Sequence, residues 1–254
     1  MYHLKLLPLV LLFSIVPAMV MAAPLKLAFP EHYAPLVWTE NGKMKGAAID
    51  LLNIIFRNKL DVETQYNGYP WSRAQINVEK GIADAFVTTP TPERLTYTTC
   101  STEPVFDIDI VIYTYLNHPR RDEILAVSTP RDLLKFILVD YRGNGWLKSR
   151  LPDARVVWTD TLEQTYKLLA NKRADIIVRD TVNFDYHARD HRYTDRIEKT
   201  SVVVDTINIH LCINKTSEYT SILPDFDRVV RELRKEGVIE SIVKDYTHPS
   251  IALN

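Results

Sequence analysis

Apolar residues fall into short unbroken runs, separated by stretches in which they recur every three or four positions. That alternation is expected where strands and helices follow one another. Leu25–Phe29 predicts a first strand. Over Ala47–Leu60 the positions Ile49, Leu52, Ile55, Phe56 and Leu60 form one helical stripe. A strand over Val62–Gln65, a helix over Ser72–Lys80 and a strand over Ala83–Val87 follow. A comparable series starts again with strands over Phe136–Val139 and Arg155–Trp158, a helix over Leu162–Ala170 and a strand over Asp175–Val178. Two longer β-rich runs, Asp107–Tyr115 and Val202–Ile213, read as strands crossing between two lobes. The tail reads as helices over Asp225–Lys235 and Val238–Tyr246, broken at Gly237.

Strands alternating with helices predict an α/β fold with largely parallel sheets. The expected architecture is two lobes, each a mostly parallel sheet flanked by helices, joined by two crossover strands. Residues 24–107 plus 210–254 would form the first lobe and residues 108–209 the second. One short pattern ties the halves together: Ala83-Asp84-Ala85-Phe86-Val87 and Ala174-Asp175-Ile176-Ile177-Val178 share Ala-Asp-x-x-Val, each after a helix. In such sheets ligands lie beyond the carboxyl ends of the strands. Two lobes on two crossovers place those ends across a cleft that closes by hinge motion.

Composition narrows the class of partner. Lys and Arg number 31 against 32 Asp and Glu, and no long basic run occurs. A protein that binds nucleic acid by neutralising phosphates is therefore not expected. Residues 1–23 read as a cleaved export signal: Lys5, then an apolar stretch over Leu6–Val20, then small residues that place the cut after Ala22 or Ala23. The apolar stretch is about 15 residues long where a membrane span needs about 20. No cysteine stands directly after it, so a lipid anchor is not expected. Cys100 and Cys212 lack the CxxC spacing of a zinc ribbon or an iron–sulfur site. Export permits a disulfide; the reading preferred from the sequence is two separate buried thiols, with a bridge as the alternative.

The residues after each strand are the candidates for the cleft. Tyr33, held before Ala34-Pro35, would form an aromatic wall, and Trp71, entering the helix after Tyr69-Pro70, a second one. The two could clasp a flat or aliphatic group and attract a cation; the competing readings are a packed surface tyrosine for Tyr33 and core packing for Trp71. Thr88, Thr89 and Arg94 lie just past the third strand, where hydroxyls and a guanidinium fork suit a carboxylate. The alternative there is a capped helix start with a solvated arginine. Gly143 and Asn144, in the turn Asp140–Trp146, could offer backbone N–H groups to an anion, although the spacing is not that of a phosphate loop. Asp180 could take an ammonium group or cap the following helix. His187 and His191 have the spacing for a metal, but flanking Arg189 and Asp190 favour a solvated helix, and no metal or cofactor is expected.

In order and spacing these segments resemble the bacterial extracellular solute-binding proteins of family 3, the polar amino-acid-binding receptors of ABC importers with the type II periplasmic binding fold. The resemblance covers residues 24–246 and rests on Tyr33-Ala34-Pro35, Asn41–Gly46 leading to Ile49-Asp50-Leu51, Pro70-Trp71, Gly81–Asp84, Thr91-Pro92-Glu93-Arg94, Asp175–Asp180 and the closing helices. It implies a monomeric periplasmic receptor for a small amino acid or related zwitterion, delivering it to a membrane permease. It further implies that Arg94 holds the α-carboxylate and Asp180 the α-amine. Two other readings stay open: an enzyme on this scaffold resembling the cyclohexadienyl dehydratases, with Glu31, His32 and Asp180 as proton-transfer candidates, and a soluble ligand sensor.

Overall fold

A computed structural model describes residues 23–142, 145–188 and 193–247. Residues 1–22 of the expected export signal, together with Gly143, Asn144, Arg189, Asp190 and His191, therefore lie outside the described residues. Hydrogen bonding orders the main strands as Arg155–Thr159, Ile137–Tyr141, Ile176–Asp180, Phe106–Tyr115, Ile197–Asn214, Ala85–Thr88, Leu25–Pro30 and Thr64–Tyr69. The pairs within each half are parallel, whereas Phe106–Tyr115 and Ile197–Asn214 run antiparallel to each other and to their neighbours. Leu25, Leu27, Ala28 and Phe29 are all buried, as the helix-covered faces of a parallel strand require.

Each half has its own core. Leu25, Phe29, Leu52, Phe56, Leu211 and Phe226 belong to one cluster, and Ile112, Phe136, Leu138 and Ile176 to another. Along Phe106–Tyr115, Ile108 packs into the first of these and Ile110 into the second. On the return strand Ile207 packs with the second and Ile209 with the first. The molecule is thus two-lobed, with both crossovers changing core over two residues. Beyond this point the Ile197–Asn214 strand carries irregularities in register at Lys199/Val203 and Val203/Asp205.

Several elements differ from expectation for physical reasons. The second strand runs over Thr64–Tyr69 rather than Val62–Gln65, because parallel pairing with Leu25–Pro30 carries it through Asn67 and Gly68. The first helix is regular only over Ala47–Asn53; Ile54–Lys59 widens into a π-helix, with Ile55 and Phe56 both fully buried. The return strand begins at Ile197, earlier than its apolar run. Cys100 and Cys212, expected as separate thiols, form a disulfide. They face one another across two antiparallel strands, a register that spacing along the chain does not reveal. Among the described residues no helix is long and apolar enough to cross a membrane.

Candidate functional site

Tyr33 is placed by backbone contacts on both sides. His32–Tyr33 pairs with Trp38 and Val37 in a small hairpin sheet, and the Pro35 and Leu36 carbonyls accept the Ala47 and Ala48 N–H groups. The loop can approach that helix start because Gly46 has φ 123° and no side chain; a Cβ there would lie 2.4 Å from the Leu36 carbonyl oxygen. Trp71 is the first residue of the helix Trp71–Glu79, after Pro70. Its ring meets Phe86 edge-on at 5.9 Å and packs beside Ala28 and Ala74. It is thus both a core residue and a cavity wall. Thr88 closes the strand Ala85–Thr88.

Two adjoining cavities open between the lobes. The larger, about 610 Å³, is lined by Tyr33, Trp38, Tyr141, Trp146, Arg179, Asp180 and Asn183 among others. The smaller, about 400 Å³, is lined by Tyr33, Trp71, Thr88, Thr89 and apolar side chains of the first lobe. His32, Tyr33, Tyr141 and Ile207 border both. The structure therefore gathers Tyr33, Trp71, Thr88, Thr89 and Asp180 around one cleft. Arg94 lines neither cavity. Its Nε and Nη2 donate to Gln75 Oε1 at 3.2 and 3.1 Å, and its Nη1 donates to the Thr89 carbonyl at 2.8 Å. Its guanidinium carbon lies 5.4 Å from the centre of the Trp71 ring. Thr91 Oγ1 accepts the Arg94 N–H, so this segment is also a capped helix start.

Asp180 ends the strand Ile176–Asp180 and accepts the Asn183 N–H at 2.7 Å, which caps the helix Thr181–Ala188. Capping and cavity lining coexist in this one side chain. Burial raises the Asp180 carboxyl above its ordinary value, against the pull of Arg179 and the Asn183 N–H. The Tyr33 phenol is raised as well, first by burial and then by Asp180.

The residues behind Asp180 were not among the candidates. Arg179 Nη1 donates to Asp140 Oδ1 at 2.8 Å, with the two side chains 6% and 0% exposed. Its Nε donates to Asn183 Oδ1 at 3.1 Å, and its guanidinium lies over the Tyr141 ring at 4.8 Å. Burial is the largest single influence and opposes the charge on Arg179, but Asp140, Tyr166, Asp180 and Tyr141 together outweigh it and hold the guanidinium above its ordinary value. Asn183 completes the set by donating from Nδ2 to the Ala34 carbonyl at 3.1 Å, a hydrogen bond across the cleft. One signal for this group is present in the sequence: an arginine inside an apolar strand needs a buried partner.

A strand-linked pair of α/β lobes with a side-chain-lined cleft between them is the architecture of a two-lobed binding protein. The chain belongs to the bacterial extracellular solute-binding proteins, family 3, which it matches over residues 25–249. No curated protein matches it. Among solved structures it is similar to an ancestral cationic amino acid solute-binding protein, with a TM-score of 0.66, 18% identity and coverage of 88% of this chain and 95% of that one. It is also similar to a mutant of ArgBP from T. maritima, with a TM-score of 0.60, 22% identity and coverage of 87% and 94%. A histidine kinase sensor domain with similarity to periplasmic binding proteins gives a TM-score of 0.63 at 19% identity, with coverage of 88% and 95%. At these identities the likeness establishes the fold.

Proposed function

We propose that this chain is an exported receptor, cleaved near Ala22, that captures a small amino acid or amino-acid-like solute between its lobes. It then presents the closed form to the permease of an ABC importer. The lobes of this reading are residues 24–107 with 210–254, and residues 108–209. The observation that carries it is Asp180: a carboxylate at a strand end, inside a cavity walled by Tyr33, Trp38, Tyr141 and Trp146. Aromatic faces and a carboxylate together attract an ammonium group. Asp180 accepts the N–H of Asn183 on one oxygen, which leaves acceptor capacity on the carboxylate. Trp71, Thr88 and Thr89 would receive the rest of the solute in the smaller cavity, with Arg94 bracing the Trp71 ring and the Thr89 carbonyl.

The raised Asp180 fixes the sign of the pH dependence. An ammonium group binds the ionised carboxylate, so affinity is greatest above the raised value and falls as pH drops through it. A second reading draws on the same feature: a carboxyl raised above its ordinary value beside a tyrosine could serve as a general acid, which would make the chain an enzyme. The similar histidine kinase sensor domain suggests, as a further reading, a signalling partner in place of a permease. Calorimetric titration with amino acids, polyamines, opines and aromatic acids tests the receptor reading. Asp180→Asn should weaken amine-bearing solutes more than their deaminated analogues; equal losses would confine Asp180 to capping, and turnover of a bound compound would favour the enzyme.

A further inference from the structure

We propose that the carboxylate of the solute is received by Arg179, so that Arg179 and Asp180, consecutive residues of the second lobe, together hold the zwitterionic head. The inference rests on the cleft being an amino-acid site.

An α-carboxylate and an α-ammonium are separated by one carbon, so their receptors must lie side by side. Arg179 and Asp180 satisfy this because the strand Ile176–Asp180 ends there and the chain turns into the helix starting at Thr181. Both side chains therefore line the larger cavity, where alternation along a continuing strand would have sent them to opposite faces. Arg179 is 95% buried (5% exposed), yet borders the cavity. Its Nε is taken by Asn183 and its Nη1 by Asp140, while Nη2 makes no hydrogen bond among the described residues. That nitrogen stays accessible on a residue that borders the cavity, and so can donate to an incoming acceptor. Stacking on Tyr141 and the contact with Asp140 fix its plane, so little ordering remains to be done when a carboxylate arrives. Arg94 is in the opposite condition: all three guanidinium nitrogens donate within the first lobe, and it borders neither cavity.

The test compares each proteinogenic L-amino acid with its decarboxylated amine, by calorimetry, on the wild type, Arg179→Lys and Arg94→Gln. Lysine keeps the charge facing Asp140 but loses the fork. The preference for the amino acid over its amine should fall by about tenfold or more in Arg179→Lys, as for loss of a hydrogen bond to a charged group, and should survive in Arg94→Gln. If Arg179→Lys does not fold, the double variant Asp140→Asn/Arg179→Gln, which removes both charges of the buried pair, takes its place with the same expected and contrary outcomes. Collapse of the preference in Arg94→Gln, or its survival in folded Arg179→Lys, would overturn the assignment while leaving the amino-acid site intact. Failure of every amino acid to bind the wild type would overturn the site itself.

Discussion

In the first lobe, Asp84 accepts the Lys26 N–H on its carboxylate at 2.9 Å and returns its own N–H to the Lys26 carbonyl at 2.8 Å. In the second, Asp175 does the same with Ile137, at 2.7 and 2.8 Å. Both aspartates follow a helix that ends in a left-handed residue, Gly81 at φ 68° in one case and Lys172 at φ 58° in the other. The shared Ala-Asp-x-x-Val pattern is therefore one device used twice: it locks the start of a central strand to its neighbour. What differs is the surroundings. Asp84 accepts the Ser217 hydroxyl on its second oxygen, whereas Asp175 has the His118 ring at 3.2 Å. The lysine pays about 1–2 kcal/mol for a conformation that glycine adopts freely, with its ammonium 5.3 Å from the Tyr115 ring centre. Backbone geometry is fixed in both lobes, and side-chain chemistry is free to vary around it.

The two cores differ more deeply. The first lobe is cross-linked between neighbouring strands by Cys100–Cys212, and the second is pinned by the Asp140–Arg179 pair. Asp140→Ala should cost the most, about 3–5 kcal/mol, because it strands a buried guanidinium. Urea unfolding measures this, and a loss below about 1 kcal/mol would show that water reaches Arg179. Replacing both cysteines by serine should cost about 2–4 kcal/mol, since the bridge closes a loop spanning 112 residues. The same variant should be insensitive to added reductant, unlike the wild type. Asp84→Ala and Asp175→Ala should each cost about 1–3 kcal/mol, the penalty for orphaning a strand N–H and losing the second partner. Unequal costs, with one near zero, would break the equivalence of the two turns.

Much of this frame is legible in the residues. The helix Leu162–Ala170 has the bounds its periodicity predicts, and Asp107–Tyr115 differs from the observed Phe106–Tyr115 by one residue. Such elements are set by local pattern. The Thr64–Tyr69 strand is not, because its polar residues adopt extended backbone through pairing with Leu25–Pro30. The disulfide depends on register for the same reason. At the site, Tyr33, Trp71, Thr88, Thr89 and Asp180 were found from their positions after strand ends, a rule of topology. Arg179 directly follows the predicted strand Asp175–Val178 and meets the same rule, but its environment depends on Asp140, 39 residues away, which chain position does not reveal. Arg94 obeys the rule but has Gln75 and the Thr89 carbonyl within reach, so chain position and cavity position part company there.

The most direct measurement is the thermal shift produced by amine-bearing solutes in the wild type and in Asp180→Asn. A solute at 100 times its dissociation constant should stabilise the wild type by about 2.7 kcal/mol, and the same concentration should stabilise Asp180→Asn far less. An equal shift in both proteins, or no shift from any amino acid or amine, would contradict the account.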